Sequence, residues 1–156
     1  MFKAALIAFG LVVGAGTAWG AGNFDAGKLH AQFTEAFNAR DWDGLKALLA
    51  DDIVFHRASG QDVFIGPDAV IERFSSTIGA PDQWNVKYAI LNSDSKFVGK
   101  DGRVVERGDF AVTAGGDDSA CYRGSYMMTW TEQSGAGWRL QLLAWQDVET
   151  GLANCK

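Results

Sequence analysis

The stretch Ala50-Asp51-Asp52-Ile53-Val54-Phe55-His56-Arg57 sets one of only two histidines beside an arginine at the end of an apolar run. Histidine is the side chain whose unperturbed pKa lies near neutrality, so His56 is a candidate general base, with Asp109 as an acidic alternative. Arg57 cannot accept a proton, but its planar fork of donors suits a carboxylate or another oxyanion. Strand alternation puts Ile53, Phe55 and Arg57 on one face and Val54 and His56 on the other, so the pair cannot jointly line one pocket. Each also has a plain structural reading: His56 as a hydrogen-bonded strand end, Arg57 as the partner of an acid such as Asp62. His30, on a predicted helix, comes after His56 as a candidate.

Other chemistries fail on their residue requirements. The two histidines lie far apart with no cysteine near them, which makes no zinc set, and there is no G-x-S-x-G nucleophile elbow. Asp117-Asp118 reads as a solvated turn before it reads as a cation site. No metal and no cofactor is expected.

The elements that would position these groups follow from periodicity. Leu29, Phe33, Ala36 and Phe37 make one apolar helical stripe, with Asp25 as N-cap. Trp42, Leu45, Leu48 and Leu49 predict a second, shorter helix capped by Asp41, which Asp51 and Asp52 end. "IVFHR" and "DVFIG" read as a hairpin. Gly66-Pro67-Asp68 opens a third helix with Val70, Ile71, Phe74 and Ile78 on its apolar face. From Trp84 onward, "WNVKYAIL", "RVVERGDFAVTAG", "CYRGSYMMTWTE" and "WRLQLLAWQDV" are β-rich runs joined by glycine turns. Helices first and strands afterwards predict an α+β fold, three helices on a curved antiparallel sheet, with a cone-shaped hollow open to a small molecule. In the last strand Trp138, Leu140, Leu142, Ala144 and Gln146 are expected to face inward, leaving Gln146 as a polar group on an apolar wall. Tyr88 shares a face with Trp84, and Tyr126, Met128 and Trp130 share another whose direction the sequence leaves open.

The chain begins with Lys3, an apolar run from Ala4 to Val13 and small residues to Gly20. This predicts a secretory signal over 1–20, cleaved after Gly20 to leave one domain over 21–156; a bilayer span would need about 20 apolar residues. The glycines Gly14 and Gly16 belong to that leader and not to a nucleotide loop. A periplasmic or secreted location follows, and Cys121 and Cys155 are then expected to form a disulfide, the alternative being two unpaired thiols. Closing a loop of about 35 residues would contribute roughly 3–4 kcal/mol in the chain-entropy model. The net charge of −5 argues against nucleic acid and, once the leader is removed, against anionic membranes as partners.

"FNARDWDGLKALLADDIVFH", "GPDAVIERF", "RGDFAVTAG" and "GSYMMTWTEQSGAGWRLQLLAWQDV" together resemble the nuclear transport factor 2-like superfamily, in its SnoaL-like and ketosteroid-isomerase-like branch. The resemblance runs from about Phe24 to Val148. It implies the conical fold and a pocket, and it allows the family's activity to be tested residue by residue. Steroid isomerases of this fold use an aspartate base after the first strand, with a tyrosine and a protonated acid as oxyanion hole. Registered on Ala50-Asp51-Asp52, the base position falls on Arg57 and the tyrosine on Phe33; registered from the Gly135–Gly137 turn, the acid falls on Thr129. None of the three can do that work. The resemblance therefore implies a small-molecule site lined by Arg57, Gln146, Phe33, Phe55, Thr129 and Tyr88. It points first to an exported domain that binds a small, partly apolar, anionic molecule. An acid–base enzyme (isomerase, cyclase or dehydratase in type) and a homodimeric interaction module built on the sheet face are the alternatives.

Overall fold

The computed structural model describes residues 24–57, 62–78, 86–98, 102–114 and 120–150. The expected leader over 1–20, Trp84, Asp117-Asp118 and Cys155 lie outside the described residues, and with Cys155 the expected bridge to Cys121. Among the described residues three helices, α1 (Ala26–Ala39), α2 (Trp42–Lys46) and α3 (Pro67–Ile78), accompany six strands: β1 (Leu49–Arg57), β2 (Val63–Ile65), β3 (Lys87–Val98), β4 (Arg103–Ala114), β5 (Ala120–Gln133) and β6 (Gly137–Thr150). The strands form one sheet in the order β2-β1-β6-β5-β4-β3. Among the described residues no helix is long and apolar enough to cross a membrane.

The caps are those the sequence predicts. Asp25 accepts from the Lys28 N–H at 3.0 Å and Asp41 from the Gly44 N–H at 2.9 Å, each satisfying a helix-start donor that would otherwise lack a partner. Between them α1 ends on Arg40, a non-glycine residue with φ of 59°. Its guanidinium holds that strained turn by donating to the carbonyls of Phe37, Asn38 and Val86. Burial lowers the Arg40 pKa. Asn38 acts as a substitute strand partner: its amide donates to the Tyr88 carbonyl at 2.9 Å and accepts from the Tyr88 N–H at 2.8 Å. These contacts fix α1 against β3, and through it the distance between α1 and the inner face of the sheet.

Three expectations are corrected. The sheet is mixed, because β1 runs parallel to β6 while its other pairs are antiparallel. The second helix stops at Lys46. Leu49 already belongs to β1, drawn out of the helix by pairing with Leu140, whose N–H donates to the Leu48 carbonyl at 2.8 Å. Asp51 and Asp52 are consequently exposed strand residues and not helix terminators. The third correction concerns β6. Thr129 and Trp130 of β5 face Leu142 and Leu140, so Gln141 is one residue extra. A bulge of this kind reverses the side-chain parity beyond it. Trp138 and Leu140 face inward before it, Leu143 and Trp145 after it, while Leu142, Ala144 and Gln146 turn to the outer face.

The helices cover the inner face, and the core between them is aromatic. Phe33, Phe37, Phe55, Phe74, Tyr88, Phe110, Tyr126, Trp130 and Trp138 are buried together. Trp145 lies at the centre of one cluster, with ring centroids 5.1 Å from Phe55, 5.5 Å from Phe74, 5.7 Å from Tyr88 and 5.2 Å from Phe110. Ring pairs at these separations add about 0.5–1.5 kcal/mol each to the area they bury.

Candidate functional site

β4 alternates Val104, Glu106, Gly108 and Phe110 on its inner face, and Glu106 is wholly removed from solvent. A buried carboxylate costs several kcal/mol unless it is paired. Here two donors and a histidine converge on it. The Tyr126 hydroxyl donates to Oε1 at 2.5 Å, and the Trp130 indole N–H donates to Oε2 at 3.2 Å. His30 Nε2 closes on Oε1 as an ion-pair contact. Nε2 is buried and makes no aligned hydrogen bond, so the two groups meet by proximity.

Each of the three is placed by an element the sequence dictates. Tyr126, Met128 and Trp130 are the inward residues of β5, and Tyr126 sits directly across from Gly108 of β4. Gly108 has to be glycine. A Cβ there would lie 2.0 Å from the Asn92 carbonyl oxygen and 2.8 Å from both the Cε1 and the hydroxyl of Tyr126. His30 precedes Phe33 and Phe37 by three and seven residues, on the same side of α1, and its ring meets that of Tyr126 edge-on at 6.2 Å. With 12% of its side chain exposed, His30 is the member of the cluster that reaches out of the interior.

The electrostatics follow from this burial. The Tyr126 pKa is pushed well up by burial, then by its hydrogen bond to Glu106 and by that group's charge, with a small opposing effect from the Ser93 hydroxyl. The Tyr88 pKa is likewise raised, by burial first and by the charge of Glu106 second. Both phenols therefore stay protonated, and Tyr126 donates to Glu106. The Trp145 N–H lies near enough to the Tyr88 oxygen to oppose that rise slightly, yet neither group has a hydrogen-bond partner among the described residues. A histidine with one nitrogen against a buried carboxylate can take a proton on the other, Nδ1, so His30–Glu106 has the make-up of a general acid–base pair. Among the described residues no group of three or more histidine, cysteine, aspartate or glutamate side chains could hold a metal ion.

The residues singled out from sequence fall in two places. Phe33, Phe55 and Tyr88 are buried members of the aromatic core. Arg57 lies at the inner-face end of β1, paired in register with Trp145. The others face the opposite way. His56 pairs with Ala144, Thr129 with Leu142, Gln146 with Ser125, all on the outer face. Asp109 is exposed there too and accepts from the Asn92 side chain at 2.7 Å. Gln146 and Asp109, with Arg107, Ser125 and Met127, border a shallow groove of about 420 Å³ across β4, β5 and β6. The expectation that Gln146 lines the cone is thus corrected by the β6 bulge, that for Thr129 by the parity of β5, and that of His56 or Asp109 as its base by strand parity. Glu106 was missed. Its signal was available in Val104-x-Glu106-x-Gly108-x-Phe110, an acid on the apolar parity of a strand.

A family model described as the SnoaL-like domain matches residues 30–153. The chain belongs to this family. Solved structures agree on the fold. An NTF2-like protein of unknown function from Pseudomonas putida KT2440 is 22% identical with a TM-score of 0.65, over 76% of this chain and 81% of that one. A putative scytalone dehydratase from Novosphingobium aromaticivorans is 13% identical with a TM-score of 0.64, over 80% of each chain. A hexachlorocyclohexane dehydrochlorinase is 14% identical with a TM-score of 0.63, over 81% of this chain and 86% of that one. No curated protein matches the chain. The SnoaL-like domain here has its acid on β4 and its histidine on α1.

Proposed function

We propose that this SnoaL-like domain is an exported acid–base enzyme, which binds a small, partly apolar molecule against the partly exposed His30 edge of its aromatic interior and moves a proton with His30. The observation that carries the reading is Glu106, fully buried and held by Tyr126, Trp130 and His30. A carboxylate placed in an aromatic interior and touching a partly exposed histidine fixes which ring nitrogen faces it and which is left for a substrate. Arg57, at the rim beside Trp145, supplies a fixed positive charge for an anionic substituent. Elimination is the favoured reaction type. Two of the structural neighbours are named for losing water or hydrogen chloride, and both reactions need a proton taken from carbon.

The test uses protein recovered from the periplasm, whose mass lacks residues 1–20 if the leader is cut after Gly20. It is incubated in deuterated water with a panel of cyclic β-hydroxy ketones and chlorinated cyclic hydrocarbons. Deuterium uptake or loss of water or hydrogen chloride is read by mass spectrometry. The expected result is turnover of part of the panel, with His30→Gln and Glu106→Leu each slower by about 10²–10⁴-fold. Undiminished turnover in His30→Gln, or none across the panel in the wild type, overturns the reading.

A further inference from the structure

Glu106 is fully buried, so any proton it gains or loses must pass through a neighbour. The groups facing it are His30 from α1, Tyr88 from β3, and Tyr126 and Trp130 from β5. The Trp130 indole is a donor alone and keeps its proton. Tyr126 differs, because its single hydroxyl proton has two acceptors within reach: Glu106 Oε1 at 2.5 Å and the Asn92 backbone oxygen at 3.3 Å. That carbonyl adjoins a bulge in β3, where the pairing with β4 slips between Ile90 and Asn92. Gly108 leaves the space in which the carbonyl and the hydroxyl meet, since a Cβ there would collide with both.

We propose that Tyr126 is a positioning residue that changes acceptor with the charge of Glu106: it donates to the carboxylate when Glu106 is ionised and to the Asn92 carbonyl when Glu106 is protonated. This rests on His30 and Glu106 acting as the acid–base pair. In the forward step a substrate C–H bond breaks, its proton goes to His30 Nδ1, and the electron pair stays on the substrate, where it forms the new double bond as the leaving group departs. With the ring turned so that Nε2–H points at Oε1, that proton moves to Glu106, leaving His30 neutral and Glu106 a neutral acid. A hydrogen bond to an ionised acceptor is roughly twice as strong as one to a neutral acceptor, so the Tyr126–Glu106 bond weakens at that moment. The Asn92 carbonyl then takes the hydroxyl, which would otherwise be left without a good acceptor in the interior. Return of the proton through His30 to the leaving group or to water restores the first arrangement. Glu106 thereby becomes a proton store as well as an orienting group.

The test is a pH titration of the full chain by NMR, with ¹³C in the glutamate carboxyl and tyrosine Cζ positions. In the wild type the Glu106 carboxyl and Tyr126 Cζ signals are expected to move together at one midpoint. In Tyr126→Phe, which keeps the ring, the charged form of Glu106 loses a donor, and its midpoint rises by about one pH unit, tenfold in proton affinity. A Tyr126 Cζ that stays still while Glu106 protonates overturns the switch, as does a Glu106 that takes no proton over the range in which the protein stays folded. His30→Gln separates this proposal from the one it rests on. Signals that still move together in a variant without turnover support the switch built from Tyr126, Asn92 and Gly108. A static Tyr126 in a wild type that turns substrate over removes the switch and leaves the acid–base pair standing.

Discussion

On the inner face of β4, Glu106 is fully buried and gathers Tyr126, Trp130 and His30 around it. On the outer face of the same strand, three residues on, Asp109 is exposed and joined to the Asn92 side chain. The two acids differ little in chemistry; what separates them is an odd step, three positions along the strand. Parity on a strand decides whether an acid is solvated or is forced into a network that has to be satisfied. The same contrast holds for the histidines. His30 lies against the buried acid, while His56 pairs with Ala144 and Val63 on the outer side.

The sharpest way to break this comparison is to truncate each acid. Glu106→Ala leaves Tyr126 and Trp130 as buried donors and His30 without its anion. The expected loss is about 3–5 kcal/mol of unfolding free energy, read by urea denaturation. Asp109→Ala should cost less than about 1 kcal/mol by the same measurement. Equal losses would mean that Glu106 is no more demanding than a surface acid, and the case for a specialised inner face would fail.

Gly108 and Gly135 sharpen the comparison at the next level down. At Gly108 an added methyl meets the Asn92 carbonyl at 2.0 Å and Tyr126 at 2.8 Å. Gly108→Ala is therefore an overpacking change, costing about 1–3 kcal/mol, and it should also disturb the Tyr126–Glu106 bond seen in the tyrosine NMR signal. Gly135 has φ of 77° and open space around it. Gly135→Ala carries only the backbone penalty of the left-handed region, about 1 kcal/mol, and should leave the Tyr126 signal in place.

How much of this was legible depends on how local the cause is. Asp25, Asp41 and Pro67 announce their helix starts because a cap or an N1 proline acts within one turn. The apolar stripe of α1 and the four long strands were equally plain. The bulges at Leu91 and Gln141 were not, since each is set by the register of a neighbouring strand. Gln141 alone moved Gln146, Ala144 and Leu142 to the outer face and brought Trp145 in. The parallel pairing of β1 with β6 was hidden for the same reason, being a contact between distant segments. Glu106 was legible but overlooked: strict alternation from Val104 to Phe110 places it with the core, and an acid at such a position marks either a misread strand or a site. His30 carried a similar sign, one helical turn ahead of Phe33.

The smallest expected effect is the one that tests the lesson most cleanly. His56 is the histidine that sequence favoured, yet its neighbours are those of a half-buried outer-face residue, between Val63 of β2 and Ala144 of β6. Gln146 is exposed on the same face, beyond the bulge. Among the described residues no hydrogen bond or ion pair joins either to the Glu106 network. His56→Gln and Gln146→Ala should each change stability by no more than about 0.5 kcal/mol, and turnover by less than a factor of about two, in the assay in which His30→Gln is slower by about 10²–10⁴-fold. A large loss of turnover in His56→Gln, with stability unchanged, would move the working site to the outer face, where the groove bordered by Arg107 and Asp109 would replace the aromatic interior as the place of reaction.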